Sequence, residues 1–289
     1  MKLSVIIPCF NAAKTIGAQL EALSGQQWSD SWEVVVSDNG SSDKSVAVVE
    51  GYRERLPNLR IIDSSDRQGR SHARNVGVLA ATGDALLFCD ADDEVGPGWL
   101  AAMGEALSKY DFVACRVDFE KLNPPYLAGI FRNHEQQSGL QKAWFSPFLP
   151  HAGGGTLGIK RALHQAIGGF DESLPRMQDT DYCFRIQLAG WELHFVPGAI
   201  VHVRCREKLI SLFHQMRGWG EHRVLMYKRY GSPGMMISHP WKRHAKAWVR
   251  LLHLLYGIRS KHDLVEWISY LGWLVGTLHG SIKYRVAPK

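Results

Sequence analysis

Three aspartates follow one apolar run, and they are the residues best suited to bind a metal ion. Asp90, Asp92 and Asp93 come directly after Leu86–Cys89, so a buried strand would deliver them to the edge of a sheet. Carboxylate oxygens are ligands for Mg²⁺ and Mn²⁺, which commonly bridge to phosphates. The alternative is that the acids cap a helix that begins near Pro97. A cap accounts for Asp93 but not for three acids, so the spacing favours a metal site.

A second acidic segment, 178–181, stands at the predicted start of a helix. Capping would account for one of its carboxylates. Removal of a proton from a hydroxyl group needs a base that is held apart from the metal ligands, and Asp or Glu suits that work. Asp179 is therefore the candidate general base.

Four further polar residues are candidates by type and position. Asp38 ends an apolar run and could accept hydrogen bonds from a nucleoside, although an Asx turn would use it equally well. Arg74 could form forked hydrogen bonds with a diphosphate, whereas Arg70 fits a solvated helix surface slightly better. A lone histidine in a strand, such as His202, is usually structural, but neutral imidazole can complete a metal shell.

Apolar runs alternate with segments of helical spacing in the first part of the chain. The predicted strands and helices are Leu3–Ile7, Ala12–Leu23, Trp32–Ser37, Asp43–Arg55, Leu59–Ile62, Ser71–Ala81 and Ala85–Cys89. Such alternation implies βαβ units and a mostly parallel sheet with helices on both faces. Ligands bind beyond the carboxyl ends of such strands. The polar clusters at 8–11, 38–43 and 90–93 should therefore face one crevice.

The pattern weakens between about 120 and 155, where prolines and glycines predict loops that form part of an acceptor side. A strand is predicted near Thr156–Ile159, and a strand pair near Glu192–Val196 and Ala199–Val203. Beyond Arg204 the chain is predicted to be helical, with an interruption at 231–234.

The composition, with 45% apolar and 21% charged residues, is that of a globular protein. Five scattered cysteines without a CxxC pair predict neither disulfides nor a zinc site, and the pattern of the first residues does not predict a secretory signal. These features favour a cytoplasmic protein. The net charge of +6 is concentrated after residue 204, which suggests a nearby anionic surface. Nucleic acid is disfavoured, because the aromatic residues of this region do not alternate with the basic ones.

Taken together, six segments resemble the family-two glycosyltransferases in type and in order. They are Val5–Asn11, Ser37–Asp43, Ala73–Gly77, Asp90–Asp93, Gly168–Asp171 and Asp179–Asp181, within about residues 1–205. The resemblance implies a GT-A fold, in which a Rossmann-like sheet is joined to an acceptor-binding half. It also implies an inverting reaction on a nucleotide-diphosphate sugar, with a UDP-sugar favoured, and Mn²⁺ or Mg²⁺ as cofactor.

The resemblance also implies roles for individual residues. Those implied for the nucleotide-sugar pocket are Pro8, Phe10, Asn11, Asp38, Arg74 and Asp90. Asp92 matches the direct metal ligand, His202 a histidine near the metal, and Asp179 the base. We expect contacts with the acceptor or the donor sugar at Gly154, Gln178 and Asp181. Relatives often have Glu where this chain has Gln178, and loss of that charge should make Asp179 easier to ionise.

The predicted domain organisation is a GT-A domain at 1–205, divided into a nucleotide-sugar half (1–120) and an acceptor half (121–205), followed by a helical region at 206–289. In that region, Leu264–Ile282 is either a buried helix or dimer contact, or an interfacial helix with Trp267, Tyr270 and Trp273 at the lipid headgroups. The interfacial alternative predicts a peripheral enzyme on the cytoplasmic face of the plasma membrane. Its hydroxyl acceptor would be lipid-linked or part of the cell envelope.

Two other functions are compatible with the residues. A catalytically silent nucleotide-sugar-binding scaffold at the membrane would not need Asp179, and a soluble transferase would act on a small-molecule acceptor. A nucleotidyltransferase is disfavoured, because a Gly-rich basic phosphate loop is expected near the first strand and Pro8–Asn11 is not one. The donor sugar and the acceptor depend on loop details that the fold class does not determine.

Overall fold

A computed structural model describes residues 1–56, 58–231 and 240–287. The strands are β1 (Leu3–Cys9), β2 (Trp32–Asp38), β3 (Leu59–Asp63), β4 (Ala85–Phe88), β5 (Glu94–Val95), β6 (Phe112–Asp118), β7 (Gln141–Lys142), β8 (Pro150–His151), β9 (Leu157–Lys160) and β10 (His194–His202). The α-helices are α1 (Ile16–Ser24), α2 (Ser45–Glu50), α3 (Arg70–Ala80), α4 (Trp99–Lys109), α5 (Pro125–Ala128), α6 (Arg161–Ile167), α7 (Gln178–Leu188), α8 (Leu209–Tyr230), α9 (Pro240–Tyr256) and α10 (Lys261–Tyr284).

The chain divides into two compact units. The first comprises residues 1–122, 134–141 and 150–204, and the second comprises 123–133, 142–149 and 205–289. The first unit is built on one sheet of eight strands, in the order β3-β2-β1-β4-β9-β6-β10-β5. Four of its seven neighbouring strand pairs are parallel, and three are antiparallel. The predicted α/β fold with a mostly parallel sheet is confirmed.

Both faces of the central strands are buried, which explains why they are continuous apolar runs. Side chains alternate between the faces, so Val5 of β1 joins a cluster with Leu20 of α1 and Met103 of α4. Its neighbour Ile6 joins the opposite cluster with Val78 of α3. The sheet therefore holds its polar strand ends between two helical layers.

Strand β10 is a single strand, whereas a strand pair was predicted. The register of its pairing with β6 shifts between Val196 and Ile200, where Pro197 and Gly198 stand in the sequence. Proline has no N–H to donate to the ladder, so the pairing is interrupted without ending the strand. Strand β6 was not predicted, because a short apolar run such as Phe112–Asp118 cannot be assigned by periodicity alone.

Helices α1 and α2 begin later than predicted, at Ile16 and Ser45, and α2 already ends at Glu50. The residues between β2 and α2 form a loop, because the Asp43 carboxylate accepts hydrogen bonds from the backbone N–H groups of Ala13 and Ser45. This loop lies at the carboxyl ends of β1 and β2, beside the residues predicted to bind a nucleotide.

The second unit is helical in its described residues after 205, as predicted. Helix α10 packs against α8 along three glycines, because side chains there would collide with the α8 backbone. A Cβ atom at Gly276 would lie 2.0 Å from the Arg217 carbonyl oxygen, and one at Gly280 would lie 2.6 Å from that of Glu221. None of the described helices combines the length and apolar content that a membrane-spanning helix requires. The predicted interruption at 231–234 extends outside the described residues.

Candidate functional site

The acids after β4 converge on one point. One carboxylate oxygen from each of Asp90, Asp92 and Asp93 lies within 4.8 Å of the others. Asp93 is buried, and its Oδ1 accepts a hydrogen bond of 2.9 Å from the backbone N–H of Arg204. Burial raises the pKa of Asp93 well above its ordinary value, and repulsion from Asp92 and Asp90 raises it further. A divalent cation would offset this crowding of negative charge, and oxygen donors suit Mg²⁺ or Mn²⁺.

A buried guanidinium lies behind the acids. Arg74 on α3 is 1% exposed and its Nη2 is 2.6 Å from Oδ1 of Asp90. Its Nε and Nη1 are buried without a hydrogen-bond partner among the described residues. A Cβ atom at Gly154 would lie 2.8 Å from Nη1, so only glycine leaves room for this side chain. Arg74 thus forms an ion pair with Asp90 from the buried side of that carboxylate. A contact between Arg74 and a diphosphate stays a prediction.

Arg70, one turn before Arg74 on α3, is exposed and faces the same acids. The Asp90 carboxylate raises the pKa of Arg70, and the carboxylates of Asp92, Asp179 and Asp93 also raise it. The sequence slightly favours a solvated helix surface for Arg70. The residue does reach solvent, and it does so beside the carboxylates of Asp90, Asp92 and Asp179. The spacing of four residues from Arg74 was the available signal, since residues i and i+4 share a helix face.

Asp179 lies at the start of α7, and its carboxylate is held by two backbone N–H groups. Oδ2 accepts a hydrogen bond of 3.0 Å from Gly154, and Oδ1 accepts one of 2.8 Å from Thr180. The adjacent Gly155 lies against Asp90, since a Cβ atom there would be 3.0 Å from the Asp90 Cγ. The segment Gly154–Gly155 therefore borders both the base candidate and the metal-binding acids.

A neutral histidine lies near Asp179. Burial lowers the pKa of His151 to about 4, although the negative charge of Asp179 opposes the shift. Its ring also contacts that of Phe184, with centroids 5.9 Å apart. His151 therefore adds no positive charge to the surroundings of Asp179 at neutral pH. No feature of the sequence around His151 had marked it as part of this site.

Gln178 and Asp181, on either side of Asp179 in the 178–181 segment, are buried. Gln178 is 5% exposed and Asp181 is 1% exposed. The Asp181 carboxylate forms an ion pair of 2.8 Å with Nε of Arg185, which also donates hydrogen bonds to the carbonyls of Ile167 and Gly169. Asp181 thus helps to anchor α7 to the turn after α6. Contacts of Gln178 and Asp181 with acceptor or donor sugar remain predictions.

The residues predicted for the nucleotide lie at the ends of β1 and β2. Oδ2 of Asp38 accepts a hydrogen bond of 3.1 Å from the N–H of Ser41, while its Oδ1 is buried without a partner among the described residues. Asn11 has a positive φ of 49° and accepts a hydrogen bond from the N–H of Ser42. Beside these, Pro8 is half-buried and Phe10 is 53% exposed. The ends of β1 and β2 thus present an exposed aromatic ring and one carboxylate oxygen without a partner among the described residues, and their contact with a nucleotide stays a prediction.

His202 lies at the end of β10 and pairs with a carboxylate. Its Nδ1 is 2.7 Å from Oδ2 of Asp118. Burial alone would raise the pKa of Asp118, but the hydrogen bond from His202 and those from two backbone N–H groups lower it below its ordinary value. An ionised partner at Nδ1 leaves Nε2 as the acceptor nitrogen. Among the described residues, the group of potential metal ligands is formed by Asp90, Asp92 and Asp93 and does not include His202. A contact between His202 and a metal ion stays a prediction.

Asn75 connects α3 to the Gly-rich turn after α6. Its Nδ2 donates hydrogen bonds of 2.9 Å to the Phe170 carbonyl and to Oε1 of Glu172, and its Oδ1 accepts one from the N–H of Phe170. Gly169 has a φ of +72°, and a Cβ atom there would lie 2.8 Å from Oδ1 of Asn75. These contacts position the helix that carries Arg70 and Arg74.

Comparisons with known proteins identify the family and the fold. Residues 4–168 match Glycosyl transferase family 2. The chain is 42% identical over 96 residues to the glycosyltransferase YibD of Escherichia coli K12, an alignment that covers 33% of this chain and only 27% of that protein.

Two solved structures share the fold. The mannosyltransferase PcManGT from Pyrobaculum calidifontis, in complex with GDP-Man and Mn²⁺, superposes with a TM-score of 0.66 at 19% identity, covering 97% of this chain and 86% of that one. TarS 1–349 from S. aureus, in complex with UDP-GlcNAc, gives 0.56 at 17% identity, with 99% and 93% covered. The match over residues 4–168, more than half of the sequence, places this chain in glycosyl transferase family 2.

Proposed function

We propose that this chain is an inverting, metal-dependent glycosyltransferase that moves a sugar from a nucleotide-diphosphate sugar to an acceptor hydroxyl. The proposal is carried by one observation: Gly154–Gly155 borders both Asp179 and Asp90. A base at Asp179 and a metal ion at the aspartates after β4 would therefore share one crevice. The family match and the nucleotide sugars bound by structural neighbours support the donor class. We favour a UDP-sugar.

The metal would be held by Asp92 directly, with Asp90 and Nε2 of His202 beside it. Mn²⁺ or Mg²⁺ suits these hard donors, and Mn²⁺ accompanies GDP-Man in the PcManGT complex. When bound, the cation supplies Lewis acidity that neutralises charge on the departing diphosphate. Arg70, which reaches solvent above the acids, offers a second positive charge to the same phosphates.

The donor and the acceptor would meet between the strand ends and α7. Asp38 would accept a hydrogen bond from base or ribose through its unpartnered Oδ1, and Phe10, Asn11 and Pro8 would line the nucleotide pocket. Asp179, held by Gly154 and Thr180, would take the proton of the acceptor hydroxyl. The hydroxyl oxygen would then attack the anomeric carbon opposite the leaving nucleoside diphosphate, which inverts its configuration.

We further propose that the enzyme works on the cytoplasmic face of an anionic membrane, on a lipid-linked or cell-envelope acceptor. The basic C-terminal region supports this location. A soluble transferase with a small-molecule acceptor would show turnover without lipid. A silent scaffold would bind the donor but would show no turnover.

The variant Asp179→Asn tests the proposal. We expect donor binding in the presence of Mn²⁺, measured by calorimetry, to change little, while transfer or donor hydrolysis falls by about 10²-fold or more. Asp66→Asn, at an exposed carboxylate, is the matched control and should keep its activity. A chelator should abolish activity, and added Mn²⁺ should restore it. Near-normal turnover of Asp179→Asn would exclude Asp179 as the base.

A further inference from the structure

Helix α9 exposes a continuous apolar face. Five apolar residues recur at intervals of three or four and therefore share one side of the helix. They are Trp241, Ala245, Val249, Leu252 and Tyr256. All five are exposed, and Trp241, Leu252 and Tyr256 expose 56%, 60% and 87% of their surface. Large apolar side chains in such a row are unusual at a surface that faces only water.

This face is not the one with which α9 packs inside the second unit. The buried side carries Leu251, whose carbonyl accepts a hydrogen bond of 2.9 Å from Nε1 of Trp267 on α10. His244 is also buried, and its Nε2 accepts a hydrogen bond from Nε1 of Trp248. The exposed face therefore lies beside the packed side, turned away from α10.

Positive charge flanks the apolar face. Lys242, Lys246 and Arg250 are exposed and recur every four residues, so they form a row next to it. No Asp or Glu occurs between Pro240 and Tyr256. A protein partner would need an acidic rim and an apolar centre of matching shape, whereas the headgroup layer of an anionic bilayer provides both along any helix.

We infer that α9 is a membrane-surface helix, which lies in the headgroup layer of an anionic bilayer with Trp241, Leu252 and Tyr256 inserted. This assigns the lipid contact to α9 and not to α10. The three aromatic residues that the sequence offered on α10 have partners inside the unit. Nε1 of Trp267 donates a hydrogen bond to the Leu251 carbonyl, Tyr270 lies under the Arg250 guanidinium at 5.9 Å, and Trp273 lies under the Arg223 guanidinium at 5.1 Å.

The experiment is co-sedimentation of the full chain with vesicles. Vesicles of phosphatidylcholine mixed with phosphatidylglycerol should bind it, and vesicles of phosphatidylcholine alone should bind it much more weakly. The double variant Trp241→Gln, Leu252→Gln should bind at least about tenfold more weakly. Leu79→Gln, which removes an 84% exposed leucine from α3, is the matched control and should bind as the unchanged chain does.

A second variant separates charge from apolar contact. Replacing Lys242 and Lys246 by Gln, which leaves the contact between Arg250 and Tyr270 in place, should weaken the preference for anionic vesicles. Circular dichroism should show that both variants remain helical. Absence of vesicle binding, or binding that survives the double variant, would overturn the inference. A dimer that the double variant dissociates, without any vesicle binding, would show that a second copy occupies the face.

The inference rests on the proposed membrane association and not on the transfer reaction. Vesicle binding is measured without donor, and donor hydrolysis is measured without lipid, so each can fail alone. Binding that is lost on removal of α10 residues but not in the α9 variant would keep the membrane association and reject its assignment to α9.

Discussion

The ion pair between Arg74 and Asp90 joins a buried guanidinium to a carboxylate of the proposed metal site. Arg74 is buried, whereas Asp90 is 20% exposed at the crevice, so the guanidinium holds the carboxylate at the boundary between protein and solvent. Removal of one partner from a buried pair leaves the other charge uncompensated. The same substitution would also free Asp90 to turn away from a metal ion.

We therefore expect Arg74→Ala to lower the free energy of unfolding by about 3 kcal/mol. Arg67→Ala removes an arginine that is 56% exposed and paired with Glu172, and it should cost no more than about 1 kcal/mol. Urea unfolding of both variants measures the difference. Equal losses would mean that burial does not determine the strength of the Arg74 pair.

His164 makes stability depend on pH. It is 4% exposed and 2.7 Å from the hydroxyl of Tyr182, and burial lowers its pKa from 6.5 to about 4, helped by Arg161 and Arg185. Below about pH 6.5 the unfolded chain binds a proton here that the folded chain does not bind until about pH 4. The contribution of neutral His164 to the free energy of unfolding is therefore fully present above about pH 6.5, and it is lost as the pH falls to about 4.

Between pH 7 and pH 5, His164 should account for a loss of about 2 kcal/mol in the free energy of unfolding. The variant His164→Asn should be less stable at pH 7, because the contact with Tyr182 is lost, but its stability should fall less steeply on acidification. Urea titrations at several pH values give both slopes. Parallel slopes would mean that His164 does not contribute to the loss of stability in acid.

At the scale of elements, the contact between α8 and α10 depends on glycines, which have no side chain to separate the two helices. An alanine methyl at Gly276 would overlap the Arg217 carbonyl oxygen, 2.0 Å away. Overpacking costs roughly 1–3 kcal/mol, and a clash with backbone belongs at the upper end. The better helix propensity of alanine returns about 1 kcal/mol of this.

Gly276→Ala should therefore destabilise the chain by about 2 kcal/mol in thermal or urea unfolding. Gly139→Ala is the control, because a Cβ atom there meets nothing within 4 Å, and its effect should stay within about 0.5 kcal/mol. A stable Gly276→Ala chain would indicate that α10 can move away from α8 without loss.

The elements that the sequence predicted well are those whose apolar run stops at a polar residue. Strand β2 ends at Asp38, and β4 ends two residues before Asp90, so the strand ends and the acids were found together. The single strand β10 was missed because Pro197 and Gly198 are also the signature of a turn. A Pro–Gly pair can end a strand or form a β-bulge within it. Which of the two occurs depends on the neighbouring strand, which is β6 here.

The partners within the site were not predictable from spacing. Arg74 meets Asp90, and Gly154 meets Asp179, only because the sheet order brings separate segments to one edge. In the same way, the periodicity of α9 shows that it has an apolar face, but not that α10 leaves this face uncovered. Exposure is a property of the folded chain.

At the scale of the whole molecule, the helical unit includes two segments that precede it in sequence, 123–133 and 142–149. Leu127 is 1% exposed and packs with Leu212 and Val265, and the Phe145 ring lies 5.5 Å from that of Tyr227. The proposed division at residue 205 would therefore separate these side chains from their partners.

A chain that ends at Arg204 should expose Leu127 and Phe145 and should aggregate, as judged by size-exclusion chromatography and dye binding. The same shortened chain with Leu127→Ser and Phe145→Ser should recover solubility. A shortened chain that is monodisperse without these changes would indicate that residues 1–204 are self-sufficient.

The side-chain amide of Asn75 ties α3 to a segment that lies 97 residues further along the chain, at Glu172. Loss of the amide would leave both the backbone of Phe170 and the Glu172 carboxylate without these partners. Lineages that descend from this protein should therefore alter positions 75 and 172 in pairs. The segment Ala73–Gly77, which contains Asn75, and the segment Gly168–Asp171, which Glu172 directly follows, would then be inherited together.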